Sequence, residues 1–402
     1  MYVPRTVRWK QVGRNITREA LRLREATKKK YTQMAAERSS EWYHLSNNKE
    51  TDERGSRASI SVEGLRATAN DNTSKDLKNM LRIARSYFED LHTPAPVTRL
   101  RTEIQEKLLQ EVEQTYVSIP GPVDEDTGTF TPEELGLLKK KMPSTAPGPD
   151  DLPYWFWKHL AKQITAYNNT HPNNELIDFW VGFSQLTEDL LRHGTNRLGF
   201  KNANISLFYK KGDPTLVANY RPISSMNTDC KMYTNLINAR LQKWAINKIH
   251  QDQKGFIPHR IITDHTRLAT AVHHYSSNEE EASFLISLDQ SKVYDRTDPE
   301  WLLRILDAMG VNKELISNIK DLLNNCRSRV RINSGLSRHF TLLRGVRQGD
   351  PLSPLLYTFS IEPMGMALRC VIKGIKAPGC KTAKLIMFAD DMNLFLSNQE
   401  DM

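Results

Sequence analysis

Twelve residues, LIMFADDMNLFL at 385–396, limit what this chain can fold into more than any other stretch. Two apolar runs flank an Asp-Asp pair, and each run has the length of a strand rather than a helix. The pattern reads as two buried strands joined by a tight turn that carries Asp390 and Asp391. SFLISLD at 283–289 reads as a third buried strand, ending on Asp289. If these strands are neighbours in one sheet, three carboxylates converge at one edge. Like charges so close raise each other's pKa, and cations relieve the strain. Hard carboxylate oxygens with open water positions suit Mg²⁺. Two such ions about 3.5–4 Å apart make a clamp for in-line phosphoryl transfer. An Asp-Asp turn or an Asp at a strand end is, taken singly, an ordinary solvated feature. The apolar flanks are what set these acids apart.

Two other segments carry chemistry. In RGVRQGDPLSPLL at 344–356, Gly345 and Gly349 permit close backbone approach to a ligand, and Arg344, Arg347 and Gln348 supply donors. Ser353 is the expected N-cap of the next helix. In KKGDPTLVANYRPIS at 210–224, Lys210, Lys211 and Arg221 put cations near a hairpin turn that could fold over phosphates. A basic hairpin is otherwise simply solvated. Together, the three features specify a nucleotidyl transferase.

Around these segments the pattern is mixed. A long polar helix is expected over 8–45 and a linker over 51–74. Leu77, Met80, Leu81, Ala84, Tyr87, Phe88 and Leu91 form one apolar stripe at helical spacing. Further helices are expected at 98–117, 131–141, 152–166, 174–192, 228–249 and 262–275, from Asp298 to Gly310, and at 354–373 with a kink at Pro363. The helix at 131–141 should open with a capping box, Thr131 with Glu134, and Pro132 in its first turn. A hairpin is expected over 203–226, and short strands at 327–333 and 339–343.

Charge is distributed unevenly over the 402 residues. The formal net charge is +9, and residues 1–30 carry ten Lys or Arg against two Glu. Arg8, Lys10, Lys28, Lys29 and Lys30 belong to this basic arm, which suits nucleic acid, although a solvated helix would look the same. The near-neutral remainder excludes a binder that works by bulk charge. No stretch approaches the ~20 apolar residues of a membrane span. The opening residues, MYVPRTVRWK, lack the apolar middle of a secretory signal, so an intracellular protein is expected. Cys230, Cys326, Cys370 and Cys380 form no CxxC pair, which argues against a disulfide scaffold or zinc ribbon.

The ordered blocks APGPDDLPYWFWKHL (146–160), NYRPISSMNTDCKMYTNLINARL (219–241), QKGFIPHRIITDH (253–265), SLDQSKVYDRTD (287–298), RGVRQGDPLSPLL (344–356) and FADD (388–391) resemble the reverse transcriptase domain of non-LTR (LINE-type) retrotransposons. The LDQSKVYDR and RQGDPLSP wording is similar to Tad-like elements. The resemblance implies an α+β right-hand polymerase: a helical extension at 1–97, then fingers and an incomplete palm at 98–402. It implies two Mg²⁺ ions held by Asp289, Asp390 and Asp391, with a dNTP, an RNA template and a DNA primer as partners, and a nuclear site of action. Tyr294 matches the residue under the incoming sugar that rejects a ribose 2′-hydroxyl. Arg221, with Lys210 or Lys211, matches the cations on the triphosphate. Gln348 and Gly349 match the loop at the nucleotide and template. Arg260 and Asp264 fall in a block to which no role is assigned. The family usually has a small residue at Val293 and glycine at His259. The chain ends eleven residues after Asp391, so the end of the palm and the thumb are expected to be missing, and no upstream endonuclease is visible. That leaves a nucleic-acid-binding remnant or an inert fragment as alternative readings.

Overall fold

The computed structural model describes residues 61–122, 129–143, 145–172, 176–195, 199–276, 283–376 and 382–398. The basic arm and the expected helix over 8–45 lie outside them. The chain divides into two units, 1–60 and 61–402, and the second holds all the described residues.

Two sheets and their helices make an α+β unit. Strands β1 (Ala203–Tyr209) and β2 (Tyr220–Met226) form the expected antiparallel hairpin. β4 (Arg327–Ile332) pairs with β1 in parallel, and β5 (Gly335–Leu336) and β6 (Phe340–Thr341) pair with β4. Helix α1 (Leu77–Leu91) covers this larger sheet. Its buried Met80, Ala84 and Phe88 cluster with Ile205, Leu207, Val330 and Ile332, so the stripe in the sequence is the face that packs. Asp76 caps it by accepting from Asn79 N–H.

The described part of the expected linker, 61–74, is anchored to the fold. Val62 and Leu65 are buried in the same cluster as α1, and Leu65 bridges to Ser74 and Arg66 to Leu216. Residues 61–97 therefore belong to the same unit as residues 98–402, and the division falls after Ile60 instead of after residue 97. Two buried apolar side chains and a bridge to the hairpin outweigh the polar composition of 61–74.

The largest core is helical. It gathers α2 (Arg99–Tyr116), α3 (Pro132–Lys141), α4 (Tyr154–Thr170) and α5 (Phe179–His193) around α6 (Thr228–Lys248), whose Met232, Tyr233, Leu236, Ile237 and Leu241 are buried. The α3 capping box forms as expected, with Thr131 Oγ1 accepting from Glu134 N–H and Glu134 accepting from Thr131 N–H. Lys248 can be buried because its ammonium donates to two carbonyls at the C-terminal end of α2 and just past it, Tyr116 O at 2.7 Å and Ile119 O at 2.5 Å. After α7 (Thr263–Ser276), β3 (Phe284–Leu288) and the short α8 (Val293–Arg296), α9 (Pro299–Ala308) and α10 (Lys313–Leu323) complete this core. No element is expected at α10, although Asn312 caps it and Leu315, Ile319 and Leu322 repeat at helical spacing.

The second sheet has the order β3-β8-β7, with β7 at Leu385–Phe388 and β8 at Asp391–Leu396. Helix α11 (Ser353–Val371), with Pro363 inside it, packs on one face: Tyr357 and Ile361 meet Met387, Met392 and Leu394. α7 packs on the other, Val272 meeting Ile386 and Phe395. β3 is an edge strand and not the buried strand expected. Leu285 is 59% exposed and Leu288 40% exposed, because only β8 pairs with it among the described residues. No described helix is long and apolar enough to cross a membrane.

Candidate functional site

Register brings the three acids to one end of the smaller sheet. β3 and β8 run antiparallel with Leu288 opposite Met392. Asp289 is the residue just past the end of β3, and Asp391 is the first residue of β8. Phe388 pairs with Asp391, so Ala389 and Asp390 alone make the turn between β7 and β8. Ala389 adopts φ 57°, in the left-handed region. Successive side chains on a strand point to opposite faces. Met392 is therefore buried under α11 while Asp391 is exposed, as is Asp289, and Asp390 is half-buried. Among the described residues, no three His, Cys, Asp or Glu side chains form a ready-made metal cage. Asp289, Asp390 and Asp391 share one end of the sheet without closing into such a group.

Tyr294 sits beside them. Lys292, at φ 55°, turns the chain into α8, and the Tyr294 ring packs 5.4 Å from the Tyr357 ring. Burial pushes the Tyr294 hydroxyl up to about 12, and the nearby Asp390 charge adds to the shift. Val293 is buried in the cluster of Tyr357, Met387 and Met392.

The loop at 344–352 leans on α8 and on β2. Val346 N–H donates to Tyr294 O and Gly345 N–H to Thr297 O, each at 2.7 Å. Ser224 N–H donates to Gln348 O at 2.7 Å. The glycines serve these contacts. A Cβ at Gly345 (φ 90°) would lie 2.7 Å from Asp295 O, and one at Gly349 (φ 111°) 2.6 Å from Ser224 O. The close approach expected toward a ligand is thus made to the protein's own backbone. Gln348 Nε2 faces the buried Asp295 carboxylate at 3.4 and 3.5 Å. Burial lifts Asp295 to about 6, against the pull of Lys292, Gln348 and Arg296.

One expected nucleic-acid contact, that of Arg347, is corrected. Arg347 is 6% exposed and donates from Nη1 to Lys201 O at 2.6 Å, with Asp350 3.8 Å from Nη2. It is an interior residue. Arg344 is half-buried, and its Nε donates to Leu91 O, at the end of α1. Both guanidiniums satisfy carbonyls that would otherwise be orphaned. Ser353 is not the N-cap of α11 either. Leu352 holds that position, and Asp350 takes up both N–H groups, its Oδ1 accepting from Leu352 and its carbonyl from Ser353.

Lys210, Lys211 and Arg221 are exposed around the hairpin end. Tyr209 donates its hydroxyl to Gly212 O, and Asp213 accepts from Thr215 and Arg66, which hold its carboxyl down to about 2. Lys292 Nζ donates to Ala218 O at 3.1 Å, tying this hairpin to the segment just after Asp289. His259 keeps a left-handed φ of 63°, a conformation that glycine would adopt at no steric cost. Arg260 donates to four carbonyls, of Ile246, Ile249, His250 and Gln253, and Asp264 pairs with Lys254 at 3.0 Å. Both residues hold the fold locally. Gln253, Asp295 and Lys292 lie in the same blocks that carry the resemblance, but nothing in their local sequence marks which contacts they make.

The acidic strand end, the tyrosine beside it and the basic hairpin tied to it by Lys292 all lie in the C-terminal half of the chain. Residues 209–402 match the reverse transcriptase (RNA-dependent DNA polymerase) family. The chain is 29% identical over 323 residues to the transposon TX1 uncharacterized 149 kDa protein of Xenopus laevis, covering 79% of this chain and 23% of that protein. It is 28% identical over 199 residues to the retrovirus-related Pol polyprotein from type-1 retrotransposable element R2 of Popillia japonica, 48% of this chain and 27% of that protein. The Drosophila melanogaster Pol polyprotein from type-2 element R2DM is 27% identical over 178 residues, 44% of this chain and 16% of its own length. These likenesses support a reverse transcriptase domain of the non-LTR, LINE type. The chain spans about a quarter of the length of the first of these relatives.

Proposed function

We propose that this chain is the polymerase part of a non-LTR retrotransposon protein and carries out RNA-directed DNA synthesis. The observation that carries the reading is the register: Leu288 pairs with Met392 at the end of β3, so the next residue, Asp289, leaves the sheet at the same end as Asp391 and the turn residue Asp390. Three hard carboxylates at an open edge fit Mg²⁺, which keeps waters and takes substrate phosphates instead of a closed protein cage. Asp289, Asp390 and Asp391 would hold two ions, which when bound supply Lewis-acid stabilisation of the phosphoryl group and activation of the primer hydroxyl.

The chain's own residues bind and orient. The β1–β2 hairpin belongs to the fingers and the β3-β8-β7 sheet to the palm. Lys210, Lys211 and Arg221 neutralise the triphosphate of the incoming dNTP. Tyr294 lies under its sugar. Gln348, braced by Asp295, and Gly349 form the wall beside the nascent pair. The basic arm at Arg8, Lys10, Lys28, Lys29 and Lys30 grips the phosphate backbone of template or target, and nuclear action follows from such a substrate. Positioning and electrostatics supply most of the catalysis in phosphoryl transfer.

The test is primer extension by the purified chain on an RNA template with a DNA primer, dNTPs and Mg²⁺. Incorporation is expected, and Asp390→Asn should abolish it while filter binding of the template persists. Absence of incorporation by the wild-type chain overturns the reading for this protein. Tyr294→Ala should raise ribonucleotide use. In a salt titration, removing residues 1–30 should flatten the slope of binding affinity.

A further inference from the structure

The turn that carries Asp390 is held from outside its own sheet. Ala389 stands at φ 57°, a left-handed conformation that is unfavourable for a residue with a Cβ. Such a conformation persists where the surroundings over-determine it. Here the surroundings are one side chain. Gln253 is 0% exposed. Its Oε1 accepts from Ala389 N–H at 2.8 Å and from Gly255 N–H at 2.8 Å. Its Nε2 donates to Ala389 O at 3.3 Å. Two backbone donors converge on one atom of the carboxamide, so that atom must be the oxygen, and the orientation is fixed by chemistry.

The segment bearing Gln253 is itself docked on β7. Met387 N–H donates to Asp252 O at 2.8 Å and Lys254 N–H to Met387 O at 2.9 Å, so 252–254 lies along the outer side of the strand. Gly255 is needed for this approach, because a Cβ there would lie 2.4 Å from Ala389 N. Behind it, Arg260 joins the Gln253 carbonyl to the last carbonyls of α6.

We propose that Gln253 is a positioning residue for the metal-holding acids: its carboxamide fixes the Ala389 peptide, and Arg260 anchors that hold to the end of α6. The inference rests on the assignment of Asp390 and Asp391 to the metal site. It gives the QKGF block a task, setting the angle at which Asp390 and Asp391 leave the turn. Groups that orient ligands from behind are worth about 10–100-fold in metal affinity.

Two measurements on the full chain test it. Hydrogen exchange of the segment 386–394 reads the hold on the turn, and free Mn²⁺ followed by electron paramagnetic resonance reads the metal site without any need for turnover. Gln253→Met fills the same space without the bonds. It should speed exchange at Ala389 about tenfold and weaken Mn²⁺ binding about tenfold, with the global melting transition retained. Gly255→Ala, which pushes the segment off Ala389, should reproduce both effects. Wild-type exchange in Gln253→Met overturns the proposal. So does wild-type Mn²⁺ affinity in Gln253→Met when Asp390→Asn has lost it. If Asp390→Asn binds Mn²⁺ like the wild type, the metal-site assignment itself fails and the proposal falls with it, while the exchange result still separates the two failures.

Discussion

Arg347 Nη1 donates to the Lys201 carbonyl at 2.6 Å, and both side chains lie in the interior. Lys201 in turn donates to Asp321 O at 2.6 Å, and Asp350 lies 3.8 Å from Arg347 Nη2. Removing one partner of such an interior set leaves the others uncompensated. Arg347→Ala should therefore destabilise the chain by about 3–5 kcal/mol in urea unfolding. Arg221→Ala, at an exposed position, should stay within about 0.5 kcal/mol while raising the KM for dNTP in primer extension. Equal stability of the two variants would refute the interior role of Arg347.

Asp295 gives stability a pH dependence of definite sign. Its folded-state value is raised by burial to about 6, above the ordinary carboxylate range. Its contribution is therefore fully present below about pH 4 and is lost as pH rises through about 6. Asp295→Asn should remove that loss. The stability of the variant relative to wild type should rise by an amount on the order of 2–3 kcal/mol between pH 4 and pH 7. His92, 3.8 Å away and pushed down by burial, acts in the opposite sense in both proteins. Urea midpoints at the two pH values decide, and parallel pH profiles would contradict the assignment.

Gly349 should tolerate no side chain. Its φ is 111°, and the Ser224 carbonyl lies where a Cβ would go. Gly349→Ala has to move the loop off β2 and break the Ser224 to Gln348 bond. Loss of dNTP affinity by about tenfold or more is expected, read as a rise in KM for primer extension. Gly136→Ala, where a Cβ meets nothing, is the control. An unchanged KM in Gly349→Ala would show that the loop does not shape the nucleotide site.

His259 carries a backbone cost that glycine would relieve. It is exposed and held at φ 63°. His259→Gly should raise stability by about 0.5–1 kcal/mol, the left-handed penalty less the entropy glycine loses on folding. A lower melting temperature in the variant would mean that the imidazole makes up for its backbone.

The sequence by itself determined what depends on neighbours in the chain. The α1 stripe, the Thr131–Glu134 box, the β1–β2 hairpin and the two strands around Asp390 and Asp391 come from periodicity and capping within a few residues. The order of the blocks carried the resemblance. Tertiary structure alone decided which polar groups are consumed by the fold. Arg347 reads as a donor for a ligand until Lys201 arrives 146 positions away, and nothing around Gln253 in the sequence announces Ala389, 136 positions away. Buried carbonyls and N–H groups must find partners, and those partners are set by packing that no local window contains. The same holds for β3, whose apolar sequence suits burial but whose place in the sheet, paired only with β8 among the described residues, leaves Leu285 in solvent.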